Sequence, residues 1–530
     1  MKSLDFDDLP YESRIPGKLL KQWAAKTPDR PYMTIAGRTC TYAETDAQCR
    51  AVARGLAQHG IQDGKRLMLL LPNCIEFIFS WFASSMLGAV TIPVNTTLKG
   101  PLLDYTIKDC RPDGLVIHRS LLHNLDSLSA ETRALLPWLA VVGDSDETLP
   151  AHAFPFNSLY VSNGPDPEIP GDFRRIQMIS YTSGTTGPSK GVISSNSATF
   201  CSGHNFIKVM GMRQDDILYA PLPLFHGMSS RQGILPTLVT GAHIVIDEHF
   251  SASRYFQRAG EVGATLGMVV HALIPLLKAQ PPGQFDRSHR IRAMFNTRHD
   301  RDFEERFGVH MVEAFAMTEI SHVLNTPFPQ RKWGSTGLAH PDWEVRLVDA
   351  EDFPVAVGQP GELLVRPRKP YIMMDGYLNK PELTLHAWRN GWFHTGDMMY
   401  QDAEGYFFYL DRDKDRIRRR GENVSSAEVE MCVCAHPGVA EVAALPHPAG
   451  DGEDEIRVVV VLRANASVTH QELWEWLRER MPKFMLPRFV EYVAELPRTA
   501  TSKVNKNQLV KDGLGSDSWD SHSFSGGAQK

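Results

Sequence analysis

Between about residues 60 and 275, short apolar runs alternate with segments of helical spacing. The runs at 115–117, 140–142 and 244–246 are strand-length, whereas 254–262 and 272–277 place apolar residues on one helical face. That alternation predicts an α/β architecture with largely parallel strands. The stretch 77–94 carries no charge and is long enough to suggest a membrane span. It divides instead into three buried elements of a soluble protein. Residues 66–71 read as a strand, Asn73 as the cap of a helix with Glu76 placed to complete a capping box, and Gly88 as its stop before a β-branched strand at 89–94. Near 343–348 and 361–365 the pattern shortens and becomes strand-rich, which predicts a β subdomain. A helix beginning at 428–433, a strand at 458–462 and a helix at 471–480 then predict a small α+β unit.

A chain of 530 residues exceeds what one hydrophobic core sustains, about 250–300 residues. The expected division is a large N-terminal domain of stacked α/β subdomains with the β subdomain (1–412), a hinge at 413–415, and a small mobile α+β C-terminal domain (416–512). The Gly- and Ser-rich residues 513–530 are expected to be disordered. The boundary is set at the charge run from Asp411 to Gly421.

A net charge of −6 offers no basic footprint for nucleic acid. The seven cysteines, at 40, 49, 74, 110, 201, 432 and 434, form no CxxC pair and match no zinc spacing. They read as reduced thiols of a cytoplasmic protein. The acidic residues 1–8 lack the apolar core of a secretory leader. Nothing in the pattern reads as an integral membrane segment, and a homodimer is left open.

The densest chemical signal is Tyr181-Thr-Ser-Gly-Thr-Thr-Gly-Pro-Ser-Lys-Gly191, directly after an apolar strand at 176–179. Its glycines let the backbone turn tightly and aim N–H groups at an anion, and its hydroxyls and Lys190 add donors and positive charge. It is not a Walker A loop, because Lys190 does not directly follow Gly187 and no Ser or Thr follows it.

This segment resembles the phosphate loop of the adenylate-forming superfamily, which comprises acyl-CoA synthetases, peptide-synthetase adenylation domains and luciferases. Further motifs follow in the family's order: Pro223-Leu-Phe-His226, Phe315-Ala-Met-Thr-Glu319, Trp392-Phe-His-Thr-Gly-Asp397, Arg412-Asp-Lys-Asp415, Gly421-Glu-Asn423 and the segment 497–503. Within the superfamily, the crotonobetaine/carnitine–CoA ligase group is most similar. The resemblance rests on Gln280-Pro-Pro, Asp286-Arg-Ser-His-Arg290, Met294-Phe295, Glu305-Arg-Phe-Gly308 and Arg419-Arg-Gly-Glu-Asn-Val-Ser425.

The resemblance implies an ATP-dependent acid–thiol ligase that uses ATP, Mg²⁺ and coenzyme A on a small-molecule carboxylic acid. It implies that Thr182, Ser183, Gly184, Thr185, Thr186, Gly187 and Lys190 hold the β- and γ-phosphates. Phe315 would flank the nucleotide, Thr318 would contact the α-phosphate, and Glu319 would ligate Mg²⁺. Asp397 would accept the ribose hydroxyls with Arg412 close by. Lys503 would meet the charge developing between carboxylate and α-phosphate. His226, Gly227, Met228, Asn296, Thr297, Arg298 and Ala316 would line the acyl pocket, Lys414 would be the hinge, and Gly421, Glu422 and Asn423 would border the CoA channel. A carboxylate is ionised at neutral pH, so adenylation needs charge stabilisation rather than a general base.

Four positions depart from the family pattern. Ala316 and Ser502 replace glycines, Asn196 stands where His is common, and Asn296-Thr-Arg-His299 replaces a Gly-Gly-Ala-Pro-like turn. With Arg298 beside the pocket, the expected substrate is a small or medium-sized uncharged acid. A carnitine or crotonobetaine ligase and a non-catalytic nucleotide-binding homologue are the alternatives.

Overall fold

The charge-free stretch forms the centre of the molecule. Helix Ile75–Met86 buries every residue except Glu76, and strand Val90–Pro93 is wholly buried behind it. The computed structural model describes residues 9–144, 148–150, 152–182, 189–270, 273–296, 299–326, 328–412, 416–419, 422–450, 453–498 and 504–524. Among these, no helix is long and apolar enough to cross a membrane.

Two large sheets share one hydrophobic core. The first runs in the order Gly376–Tyr377, Lys190–Ser195, Ile176–Thr182, Val90–Pro93, Arg66–Leu70, Gly114–His118, Leu139–Val142, Ala153–Pro155. The second runs His310–Val312, Ala293–Phe295, Leu266–Met268, Ile217–Tyr219, His243–Ile246, Pro31–Ile35, Arg38–Thr41. Pairing is parallel except at one end of each, as the βα alternation predicts. Phe77, Trp81 and Phe82 belong to one buried cluster that includes residues of both sheets, among them Leu67 and Ile244. Such burial on both faces explains the near-continuous apolar runs. A four-stranded antiparallel sheet, Trp343–Val348, Gly361–Pro367, Phe393–Gln401 and Phe407–Arg412, forms the β subdomain.

Asn73 does something other than capping. The helix starts after Cys74 without a side-chain cap. Asn73 is buried, and its amide donates to the carbonyls of Leu222 (3.1 Å) and Asp247 (3.0 Å) while its Oδ1 accepts from Leu224 N (2.8 Å). Three distant backbone groups that lack sheet partners outbid the local helix start.

The small C-terminal domain builds on the sheet Val439–Gly450, Glu453–Leu462, Phe489–Tyr492, with a buried two-armed Arg457–Glu491 pair at 2.8 Å on each arm. The expectation of disorder from 513 onward is corrected for residues 513–524. Trp519–Asp520 adds a fourth strand beside Phe489–Val490, and Arg488 binds Asp520 at 3.1 Å. Composition suggested a tail, but two anchoring side chains hold it. Residues 525–530 lie outside the described ones.

The two domains meet along helix Gly100–Cys110, whose Leu102 is buried within the C-terminal core. Gly100 has φ +56°, and a Cβ there would come within 2.7 Å of the Arg480 carbonyl, so the seam closes only over glycine. Lys99 donates to the Arg478 carbonyl at 2.9 Å. Across the seam, Ser189 donates its N–H to Glu428 at 3.1 Å, and its hydroxyl donates to the same oxygen.

Burial pushes the Glu428 carboxyl up to about 7 despite the Ser189 donors. Closing the seam therefore takes up a proton, and closure is favoured most at low pH. It should weaken as pH rises from 4.5, the ordinary value, toward about 7, by on the order of ten- to a hundredfold. Interdomain energy transfer between paired dyes should show that slope in the native chain and a flat profile in Glu428→Gln. Identical slopes in both would contradict the linkage.

Candidate functional site

Strand Ile176–Thr182 and strand Lys190–Ser195 form an antiparallel hairpin, with Thr182 directly opposite Lys190. Ser183, Gly184, Thr185, Thr186 and Gly187 lie outside the described residues. The hairpin's outer strand pairs with Gly376–Tyr377, register Tyr377 to Val192. From that edge the Tyr377 hydroxyl donates to Glu319 Oε1 at 3.0 Å, and the Lys190 ammonium sits 5.0 Å above the same ring. One tyrosine thus joins the lysine of the glycine-rich loop to the buried carboxylate.

Phe315 and Ala316 occupy the half-buried strand Ala314–Ala316, and Thr318 and Glu319 lie on the bend that follows. The bend is fixed by Met317 N to the Ile320 carbonyl (3.3 Å) and Met374 N to the Glu319 carbonyl (2.8 Å).

Asp397 is 3 % exposed on strand Phe393–Gln401, directly across from Arg412. The Tyr409 hydroxyl approaches it at 3.4 Å. Glu362 steadies the preceding turn, accepting from Gly396 N at 2.9 Å with His394 Nδ1 at 3.0 Å. Gly396 has φ +72°, which explains a glycine before this aspartate.

His226, Gly227 and Met228 begin a short helix, where His226 Nδ1 accepts from Met228 N at 3.3 Å. The Asn73 clamp holds the segment leading into it. Asn296 is buried at the end of strand Ala293–Phe295; Thr297 and Arg298 lie outside the described residues. His299 turns toward Glu313, 3.2 Å away, and stacks edge-on against Trp333. Glu422 opens the strand Glu422–Ser425 with Asn423 opposite Arg418, and its charge acts on His226. The small domain therefore brings the start of this strand near His226. Lys414, Gly421 and Lys503 lie outside the described residues.

Sequence reasoning missed Tyr377, Asn73, Glu428 and Arg231. Tyr377 and Glu428 belong to no motif and act through tertiary contacts alone, and Asn73 fitted a helix cap by its local sequence. Arg231 carried a signal, a lone charge in the otherwise uncharged stretch after His226. A cavity of about 610 Å³ at the domain seam, lined by Lys99, Arg419, Trp474 and Arg478, shares none of the residues above. Two of its cations are engaged, Lys99 with the Arg478 carbonyl and Arg419 with Glu455.

The sequence profile described as "AMP-binding enzyme" matches residues 20–378, and that described as "AMP-binding enzyme C-terminal domain" matches residues 428–503. The chain belongs to the AMP-binding enzyme family. It is 28% identical over 486 residues to a crotonobetaine/carnitine–CoA ligase of Salmonella enteritidis, covering 89% of this chain and 93% of the relative. It also resembles a double mutant of o-succinylbenzoate CoA synthetase of Bacillus subtilis bound with its product analogue OSB-NCoA. That likeness has a TM-score of 0.79 at 25% identity and covers 93% of this chain and 98% of that one. The same synthetase in complex with AMP gives a TM-score of 0.65 at 25% identity, covering 93% and 97%. The expected fold, a large α/β N-terminal domain with a small C-terminal one, is that of this family.

Tyr377→Phe keeps the ring under Lys190 but strips a donor from the buried Glu319 carboxylate. Hydrogen bonds to charged groups contribute roughly 1.5–3 kcal/mol, so the melting temperature of this AMP-binding enzyme should fall by a few degrees. An unchanged melting temperature in a thermal scan would deny the bond.

Proposed function

We propose that this AMP-binding enzyme is an acid–CoA ligase acting on a small or medium-sized organic acid. A carboxylate oxygen attacks the α-phosphorus of ATP and pyrophosphate leaves, giving an acyl-adenylate. The CoA thiolate then attacks the acyl carbonyl and AMP leaves. The observation that carries this reading is the convergence of Lys190, Tyr377 and Glu319 at one sheet edge.

In this reading, the hairpin loop from Thr182 to Lys190 grips the outer phosphates. Glu319 would hold Mg²⁺ together with phosphate oxygens, which suits an ion that takes one or two carboxylates. Its Oε1 already accepts from Tyr377, leaving Oε2 for the metal. The ion's contribution is to neutralise phosphate charge. Asp397 receives the ribose hydroxyls, its carboxylate held in place by the Glu362-braced turn. The described chain is more similar to the synthetase holding a CoA product analogue than to the same synthetase holding AMP. We therefore read the docked arrangement, with Glu422 near His226, as the thioester-forming state. Adenylation would then need the small domain, 416–512, to rotate about 413–415 and bring Lys503 in. The described cysteines are all free thiols, which suits a reducing, cytoplasmic compartment.

Pyrophosphate release across a panel of acids, with and without CoA, tests the reading; ATP-dependent release with no acid would overturn it. Lys503→Ala should slow adenylation ~10²–10³-fold, as loss of one aimed donor does, while sparing thioester formation from supplied acyl-adenylate. Equal loss in both half-reactions removes Lys503 from this role. Asp397→Ala should weaken AMP binding about ten- to a hundredfold and acid binding far less. Calorimetric titration showing unaltered AMP affinity would reject the ribose contact.

A further inference from the structure

Arg231 is buried and makes no ion pair among the described residues. It lies in the irregular turn Ser230–Ile234 and is 7% exposed. Among the described residues, no carboxylate comes within ion-pair distance of it. Its Nη1 donates to the Thr318 carbonyl at 3.1 Å, while its Nε is buried with no hydrogen-bond partner. Burial lowers its pKa only to about 10, so it keeps its charge at neutral pH. Glu319 is the acid that acts on it most, but one oxygen of that carboxylate already serves Tyr377. A buried cation without a partner is costly, and native chains pair such groups or leave them for a ligand.

The guanidinium lies against Gly227, which the family resemblance assigns to the acyl pocket. A Cβ on Gly227 would come within 3.0 Å of Nη2 and 3.1 Å of Nε, so a side chain at 227 would crowd the fork and glycine lets it approach this closely. Further polar capacity lies close by. His322 is fully buried, and burial together with the charges of His340 and Arg231 pushes it down to about 3 against the opposing pull of the Ser202 backbone. It is therefore a neutral donor and acceptor beside a fixed cation.

We propose that Arg231 is a specificity-determining residue that holds a second carboxylate of the substrate, so that the acid is a short dicarboxylate activated at its other end. This rests on the acid–CoA ligase reading. A planar guanidinium matches a carboxylate two bonds at a time. The reacting carboxylate is a poor partner, because it loses its charge on becoming an anhydride with AMP. A distal carboxylate keeps its charge through both steps, so the pairing persists to product. The same cation repels a quaternary ammonium, which separates this chain from its crotonobetaine/carnitine relative. It also replaces the uncharged acid expected from sequence.

The test compares four-, five- and six-carbon dicarboxylates with the monocarboxylates of equal length, reading pyrophosphate release and CoA consumption in the full-length enzyme and in Arg231→Met and Arg231→Lys. The native enzyme should favour one dicarboxylate over its matched monocarboxylate. Arg231→Met should lower that kcat/KM ratio on the order of a hundredfold, chiefly through KM, and Arg231→Lys should recover part of it. AMP titration checks that each variant is folded. A native preference for monocarboxylates at every length overturns the proposal while leaving the ligase reading intact. An unchanged ratio in Arg231→Met does the same. Pyrophosphate release with none of the acids counts against both. If Arg231→Met does not fold, the native panel and Arg231→Lys still decide.

Discussion

The short pairing of Gly376–Tyr377 onto the hairpin's outer strand is the constraint on which the site's geometry depends. Two residues extend an eight-stranded sheet by one edge, and that edge aims a hydroxyl at Glu319 and a ring beneath Lys190. In the reading proposed above, a lysine and a carboxylate both serve the phosphates, and side by side such a pair would bind each other. The tyrosine stands between them, its ring beneath Lys190 and its hydroxyl on Glu319. Sheet hydrogen bonds, which are rigid and repeated, set the spacing better than a loop would.

Much of this architecture was legible in the chain. The period of the apolar runs gave the strands at 115–117, 140–142 and 244–246 because those strands are buried on both faces and tolerate no polar interruption. Asp397 and Arg412 were each picked out by a motif, and a β-ladder sets the two residues opposite one another. What could not be read were contacts made across the fold. Asn73 looked like a helix cap because its local sequence fits one, yet three distant backbone groups claim its amide. Residues 513–524 looked unstructured because composition averages over the two side chains, Trp519 and Asp520, that fasten them.

Arg231 and Gly227 illustrate a second kind of hidden information. Neither is unusual alone, since charges occur in helices and glycines follow histidines. Only the approach of a guanidinium to the missing side chain shows that each explains the other. The relative at 28% identity covers most of the chain, and in the inference drawn above a single cation would separate the acids that two such enzymes accept. Discrimination of this kind arises from repulsion as much as from attraction.

The Ser189–Glu428 contact makes two occupants rivals for the same donors. A phosphate that claims the Ser189 amide or hydroxyl displaces the carboxylate of the small domain, and the carboxylate in turn bars the phosphate. Reciprocity then requires that each weaken the other by an equal factor. In the reading proposed above, nucleotide supply would then act as a clutch on the small domain, abundant ATP disengaging it and departing pyrophosphate letting it re-engage.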